Sequence, residues 1–149
     1  MSAQRLQIDL PERMPFHFPL TIRVTDTNHG GHMGNERVLM YCQEARAGLL
    51  AAIGASEADI DGTGIIIADA AIRFMAEGFA GDVLTIAVGV GNFQRRSCDF
   101  YYRLVRDHDQ REIARARTRI VFFDYVRREV AEIPPGFAQR VEALGPPHV

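Results

Sequence analysis

Apolar and polar positions along this chain follow two different periods. Val38, Cys42, Ala45, Leu49 and Ala52 recur at steps of four, three, four and three, which is one face of a helix. No proline interrupts Glu36 to Ile53, so the spacing predicts a long helix from about Asn35 to Ile53 whose stripe packs on a sheet. Gly54 is the expected stop, and the polar stretch Ser56 to Gly64 reads as a loop or short helix. Ahead of the helix, His17 to Thr25 is rich in β-branched residues, with a first strand expected near Leu20 to Thr25.

Four strand-like runs follow: Ile65 to Met75, Val83 to Phe93, Cys98 to Arg106 and Ile113 to Phe123. Glu77-Gly78 with Gly81-Asp82, then Gln94 to Ser97, then Asp107 to Gln110 separate them. Connections this short join antiparallel neighbours but not parallel ones. One strand, one long helix and four strands therefore predict an α+β architecture, a five-stranded antiparallel sheet with the helix on one face. Pro134-Pro135 ends the last strand region, and Gly136 to Leu144 is expected to form a short surface helix.

Composition narrows this picture without changing it. A chain of 149 residues with 47% hydrophobic content is the size of one domain, expected over 1–149 and able to bury roughly 70% of its unfolded surface. Its 17 basic and 19 acidic residues leave no nucleic-acid footprint. No run approaches the ~20 apolar residues of a membrane span, so the expectation is a soluble, cytoplasmic protein. Cys42 falls on the helix stripe and Cys98 in a strand-like run, which fits reduced, buried thiols better than a disulfide. Nothing near Cys42 is electropositive enough to make it a nucleophile, and no spacing of histidine, cysteine and carboxylate amounts to a metal site.

Chemistry concentrates in Asp26-Thr-Asn-His-Gly-Gly-His-Met-Gly-Asn35, where polar groups and three glycines lie between the first strand and the helix. The first N–H groups of a helix have no intrahelical partner and sit at the positive end of its dipole, so they favour an anion or a developing oxyanion.

Residues 23 to 46, from Arg-Val-Thr-Asp-Thr-Asn through Gly-His-Met-Gly-Asn to Glu-Ala-Arg, resemble the signature of hotdog-fold acyl-CoA thioesterases of the 4-hydroxybenzoyl-CoA thioesterase type. That family carries Asp-x-Asp-x-x-Gly-His-Val-Asn-Asn before a long helix ending in Glu-Ala-Arg. The likeness continues through Ala71 to Phe74, Gly81 to Leu84, and Phe123-Asp124 to Ile133-Pro134. It implies a hotdog fold, in which the sheet wraps the helix, and a thioesterase acting on an acyl-CoA or acyl-carrier-protein thioester in a homodimer or homotetramer. Coenzyme A would enter as part of the substrate, with no separate cofactor.

The resemblance also distributes roles. The Asn35 backbone N–H falls where the family's carbonyl-polarising amide lies, although asparagine is equally a helix-capping residue. Asp26 is the first carboxylate of the family pattern, on the same side as Asn28 if the strand runs that far, or else a loop aspartate bonded to nearby N–H groups. Asn28 departs from the pattern, because an amide stands where many members carry the catalytic aspartate. His32 matches the pattern's histidine and can act as a base near neutral pH, or be a structural loop residue. Glu44, on the central helix, is a further base if the fold encloses it; His29 is a weaker candidate.

Arg115, Arg117 and Arg119 alternate with Ala114, Ala116, Thr118 and Ile120, so they share one strand face. They read as a solvated face paired with Asp99 and its neighbours, or as a site for coenzyme A phosphates; Arg95-Arg96 is a second candidate for those phosphates. The acyl pocket is expected to be apolar, with Ile66, Ile67 and Met75 in its lining. Two other readings stand beside the thioesterase: a hotdog hydratase or dehydratase, whose Asp-x-Asn-Pro-x-His motif Asp26 to His32 partly resembles, and a non-catalytic acyl-binding module that has lost its base.

Overall fold

The computed structural model describes residues 3–144; residues 1–2 and 145–149 of the expected single domain lie outside the described residues. Five long strands, β1 (Phe16–Thr21), β2 (Gly64–Phe74), β3 (Val83–Gly91), β4 (Ser97–Arg106) and β5 (Arg111–Asp124), form an antiparallel sheet in the order β1-β3-β4-β5-β2. Helix α1 (Asn35–Ala52) connects β1 to β2, strands at opposite edges, and so crosses the sheet. The expected five-stranded sheet is corrected to six strands, because a two-residue β6 (Glu129–Val130) folds back on β5. That hairpin turns through Arg128, at φ 59°, a left-handed conformation that the apolar pattern does not announce.

Val38, Cys42, Ala45 and Leu49 are fully buried, as the stripe predicts, but Ala52 is exposed. A stripe with a strict seven-residue repeat drifts by ~20° per heptad on a straight helix, so by the last turn Leu50 faces the core instead. Against α1 lie Leu84, Ile86 and Val88 of β3, Phe100, Tyr102 and Leu104 of β4, and the small Ala114 and Ala116 of β5. Burial of each large aliphatic side chain here stabilises the fold by roughly 2 kcal/mol. Within this core Arg46 is buried, donating to Glu57 Oε1 at 2.8 Å and to the Tyr102 hydroxyl at 2.9 Å; Thr118 Oγ1 lies 2.9 Å from the same hydroxyl. These bonds fix the helix on the sheet.

The short terminal helix α2 (Phe137–Glu142) is not a purely surface element. Phe137 is fully buried against the ring of Phe122, at 5.4 Å between centroids.

Strand β1 ends at Thr21, short of the expected Thr25, and Val24–Asp26 form a 3-10 turn. The Asp26 side chain accepts the Arg23 backbone N–H at 3.1 Å, folding the chain back where an extended strand would have continued. Asp26 and Asn28 therefore do not share a strand face: Asp26 is buried and Asn28 is exposed.

Candidate active site

The segment after the turn is held on both sides. Asn28 N–H donates to the His32 carbonyl at 2.9 Å, Gly34 N–H to the Asp26 carbonyl at 2.9 Å, and Met33 N–H to the Gly78 carbonyl at 2.8 Å. A Cβ at Gly78 would meet Ile22 Cδ1 at 2.6 Å but Met33 Cβ only at 3.7 Å, so the glycine makes room for the buried Ile22. Gly34, not Asn35, is the N-cap of α1, and Asn35 is its first residue. Asn35 therefore carries one of the N–H groups that no helical carbonyl reaches.

Beside this N-terminus opens a pocket of about 270 Å³. His32, Met33 and Asn35 line one side, and Phe74, Met75 and Glu77 the other. Of the three residues named from sequence for the acyl pocket, Met75 lines it; Ile66 and Ile67 are exposed on the edge strand β2 and do not. Glu77 was not legible as a site residue, because it meets His32 only through the pairing of His32 with Phe79, distant in sequence.

The Asn28 side chain is oriented by its neighbours. Its Oδ1 accepts the Gly30 N–H at 2.9 Å, which turns Nδ2 toward His32 Nδ1 at 3.4 Å. On the opposite edge of the imidazole, His32 Nε2 lies 4.0 Å from Glu77 Oε1. An amide N–H facing Nδ1 leaves the neutral ring's proton on Nε2, directed at the Glu77 side.

Asp26 belongs to a different cluster. Its Oδ2 accepts from Arg23 Nε at 3.0 Å and from the Tyr41 hydroxyl at 2.8 Å, with the side chain 3% exposed. Burial alone would push this carboxyl up, but the hydrogen bonds from Arg23 and Tyr41 together outweigh it and hold the group below the usual carboxylate range. Burial, and then the bond to Asp26, push the Tyr41 phenol above its ordinary value. Tyr41, Arg23 and Arg37, whose Nε lies 3.9 Å from Asp26 Oδ1, were not singled out from the sequence. A buried tyrosine one turn from the stripe is the signal that was available.

Glu44 has one oxygen 3.6 Å from Arg23 Nη2, and that oxygen is buried without a hydrogen-bond partner among the described residues. From Asn35 to Glu44 the helix rises roughly 13 Å, so within one chain Glu44 cannot reach a carbonyl held at the Asn35 amide. His29 is exposed at the loop tip. Burial pushes the Cys42 thiol up to about 12, against a smaller opposing effect of Arg46, so the group is not a thiolate at neutral pH.

Arg117 and Arg119 pair with the buried Asp99, and Arg117 also with Asp69, which is the cross-strand pairing expected of that face. Arg95 pairs with Glu132 at the surface, and Arg96 beside it is exposed. Among the described residues no group of histidines, cysteines and carboxylates is arranged to hold a metal ion, and no helix is long and apolar enough to cross a membrane.

A long helix lying across an antiparallel sheet, with a polar loop delivering its N-terminus to a pocket, defines a hotdog-type domain. Residues 22–141 match the thioesterase-like superfamily, and the chain belongs to that family. Its fold is similar to that of a 1,4-dihydroxy-2-naphthoyl-CoA thioesterase from Synechocystis, at 21% identity over 85% of this chain and 94% of the other, TM-score 0.77. It is also similar to a gentisyl-coenzyme A thioesterase, at 18% identity over 86% and 98% of the two chains, TM-score 0.71. A Staphylococcus aureus protein in complex with CoA superposes with TM-score 0.78 at 13% identity, over 90% of this chain and 87% of its own. No functionally curated protein sequence matches the chain.

Proposed function

We propose that this thioesterase-like protein hydrolyses an acyl-CoA thioester to a free acid and a thiol in the pocket at the N-terminus of α1. The observation that carries this reading is the convergence of Asn35, His32 and Glu77 on one pocket lined also by Met33, Phe74 and Met75. A thioester carbonyl placed at the Asn35 N–H meets a donor already aimed by the helix, worth ~3 kcal/mol to the transition state. His32 is the donor to the leaving group. In the tautomer that the Asn28 amide selects, its Nε2–H hydrogen-bonds the departing sulfur, while Glu77 takes a proton from the attacking water lying between the two side chains and returns it to the thiolate as the C–S bond breaks. The Asp26 cluster fixes the loop and the helix relative to one another and takes no proton.

The two thioesterases of similar fold bear the names of aromatic acyl groups, and Phe74 with two methionines suits a flat ring. An aromatic acyl-CoA of the 4-hydroxybenzoyl kind is therefore the first substrate to try, ahead of a carrier-protein thioester. The working unit is a homodimer, for which the support is the edge strand β2 with Ile66 and Ile67 exposed. Arg95 and Arg96 remain proposed contacts for the nucleotide phosphates.

The test is a panel of aromatic and aliphatic acyl-CoA substrates with free thiol release recorded. Release by the wild type, strongly reduced in His32→Asn, is the expected outcome. Saturable binding without release would instead favour the acyl-binding module, the reading kept alive by the amide at position 28.

A further inference from the structure

A second cavity lies on the face of the sheet that α1 does not cover. It measures about 540 Å³, against about 270 Å³ for the pocket at His32, and is roofed on one side by the N-terminal segment Glu12 to Pro15. That segment is a built wall. Gly89 lets it lie directly on the sheet, because a Cβ there would meet the Arg13 carbonyl oxygen and Met14 Sδ, each at 2.7 Å. Ile8 is buried upstream, its carbonyl accepting from Arg115 at 3.3 Å, and Arg13 Nη2 donates to the Glu142 carbonyl at 2.9 Å. The family match begins at residue 22, so this wall is outside it.

The floor follows from the strand register. His17, Ala87, Arg103, Arg115 and Arg73 stand opposite one another across β1, β3, β4, β5 and β2, and the first three line the cavity. A methyl group between an imidazole and a guanidinium leaves a hollow. Like charges facing across strands are unfavourable, and Glu112 is shared between Arg103, at 3.3 Å, and Arg115. Asp9 also acts on Arg115, so two carboxylates face the three guanidinium groups of Arg103, Arg115 and Arg73, and the row is short of one negative charge. A guanidinium has five N–H donors, of which Arg103 spends one on Glu112. Met14, Pro15, Ala87 and Val105 supply apolar surface beside these donors.

Two carboxylates also border the cavity. Asp107 accepts the Thr85 hydroxyl at 2.7 Å, and Glu12 stands exposed on the N-terminal wall. They repel a multiply charged anion such as a nucleotide while leaving room for one negative charge at Arg103. We propose that this cavity is a second small-molecule site, taking a monocarboxylic acid with a compact apolar body, its carboxylate on Arg103 and its body over Ala87. Its volume is within the range of ordinary ligand sites. The proposal does not rest on the hydrolysis assigned to the pocket at His32.

The test titrates the full chain with phenylacetate and follows backbone amide resonances. Saturable shifts at Thr85, Ala87 and Gln110 are expected, weakened at least tenfold by Arg103→Met, abolished by Ala87→Leu, and unchanged in His32→Asn. Arg103 is half exposed, so its replacement leaves a folded protein even if Ala87→Leu does not. Absence of saturable shifts at these amides, or shifts of equal affinity in Arg103→Met, would overturn the site. Equal affinity for inorganic phosphate would overturn the ligand class, because the apolar body would then contribute nothing.

Discussion

Two polar clusters flank the same loop and are built in opposite ways. Around Asp26 the carboxylate and Tyr41 are buried and the bonds short, with the half-exposed Arg23 at 3.0 Å and Tyr41 at 2.8 Å on a single carboxylate oxygen. Around His32 the contacts are long, 3.4 Å to Asn28 and 4.0 Å to Glu77, and the ring is a third exposed beside an open pocket. A saturated carboxylate in a low-dielectric setting holds structure and resists protonation. A loosely held imidazole at a cavity can still exchange a proton with something that enters. Proximity in sequence to a family motif does not distinguish these roles, whereas the number and length of the bonds does.

The sharpest way to break this contrast is Asp26→Ala. It leaves the fully buried Tyr41 hydroxyl without its acceptor, and the expected loss is ~3 kcal/mol in urea unfolding; Arg23 is half exposed and adds little. An unchanged midpoint would show that the cluster is not scaffold. His32→Asn should do the reverse, lowering the turnover number by roughly 10²-fold, about 2.7 kcal/mol of barrier, with the unfolding curve nearly unmoved. A large stability loss with full activity in the folded fraction would exchange the two roles.

Cys42→Ser puts a hydroxyl in the core beneath α1 and should cost about 1–2 kcal/mol of stability while leaving turnover intact. Abolished activity in a folded serine variant would make the thiol a participant. Asn28 separates the tautomers of His32. Asn28→Asp keeps the bond from Gly30 but offers Nδ1–H an acceptor and takes the proton off Nε2, so activity should fall roughly tenfold, as in Asn28→Ala. Activity that holds or rises in Asn28→Asp would mean that Nε2 or the new carboxylate acts as the base in place of Glu77.

The smallest effect is a pH dependence. The Asp26 carboxyl is held below its unfolded value, so its contribution to stability is full above the unfolded pKa near ~3.9 and is lost as pH falls through the folded value. The stability gap between wild type and Asp26→Asn should therefore be constant near neutrality and shrink in acid. Chemical denaturation at a series of pH values measures it, and a gap that widens in acid would reverse the sign assigned to this group.

Period and punctuation determined a large part of this protein. The stripe from Val38 to Leu49, the alternation in β5 and the short turns were enough for a helix on an antiparallel sheet, because burial on one face imposes a period that local sequence must carry. The location of Asn35 and His32 at the start of the helix was likewise legible, since a helix start and a polar loop are local features. Tertiary structure decided what local pattern cannot hold. It ended β1 at Thr21, because Asp26 bonds back to Arg23, and so separated Asp26 from Asn28. It brought Glu77 to His32 through a pairing of His32 with Phe79. Which carboxylate meets which histidine depends on how distant strands pair, and the period of one segment contains no record of its partner.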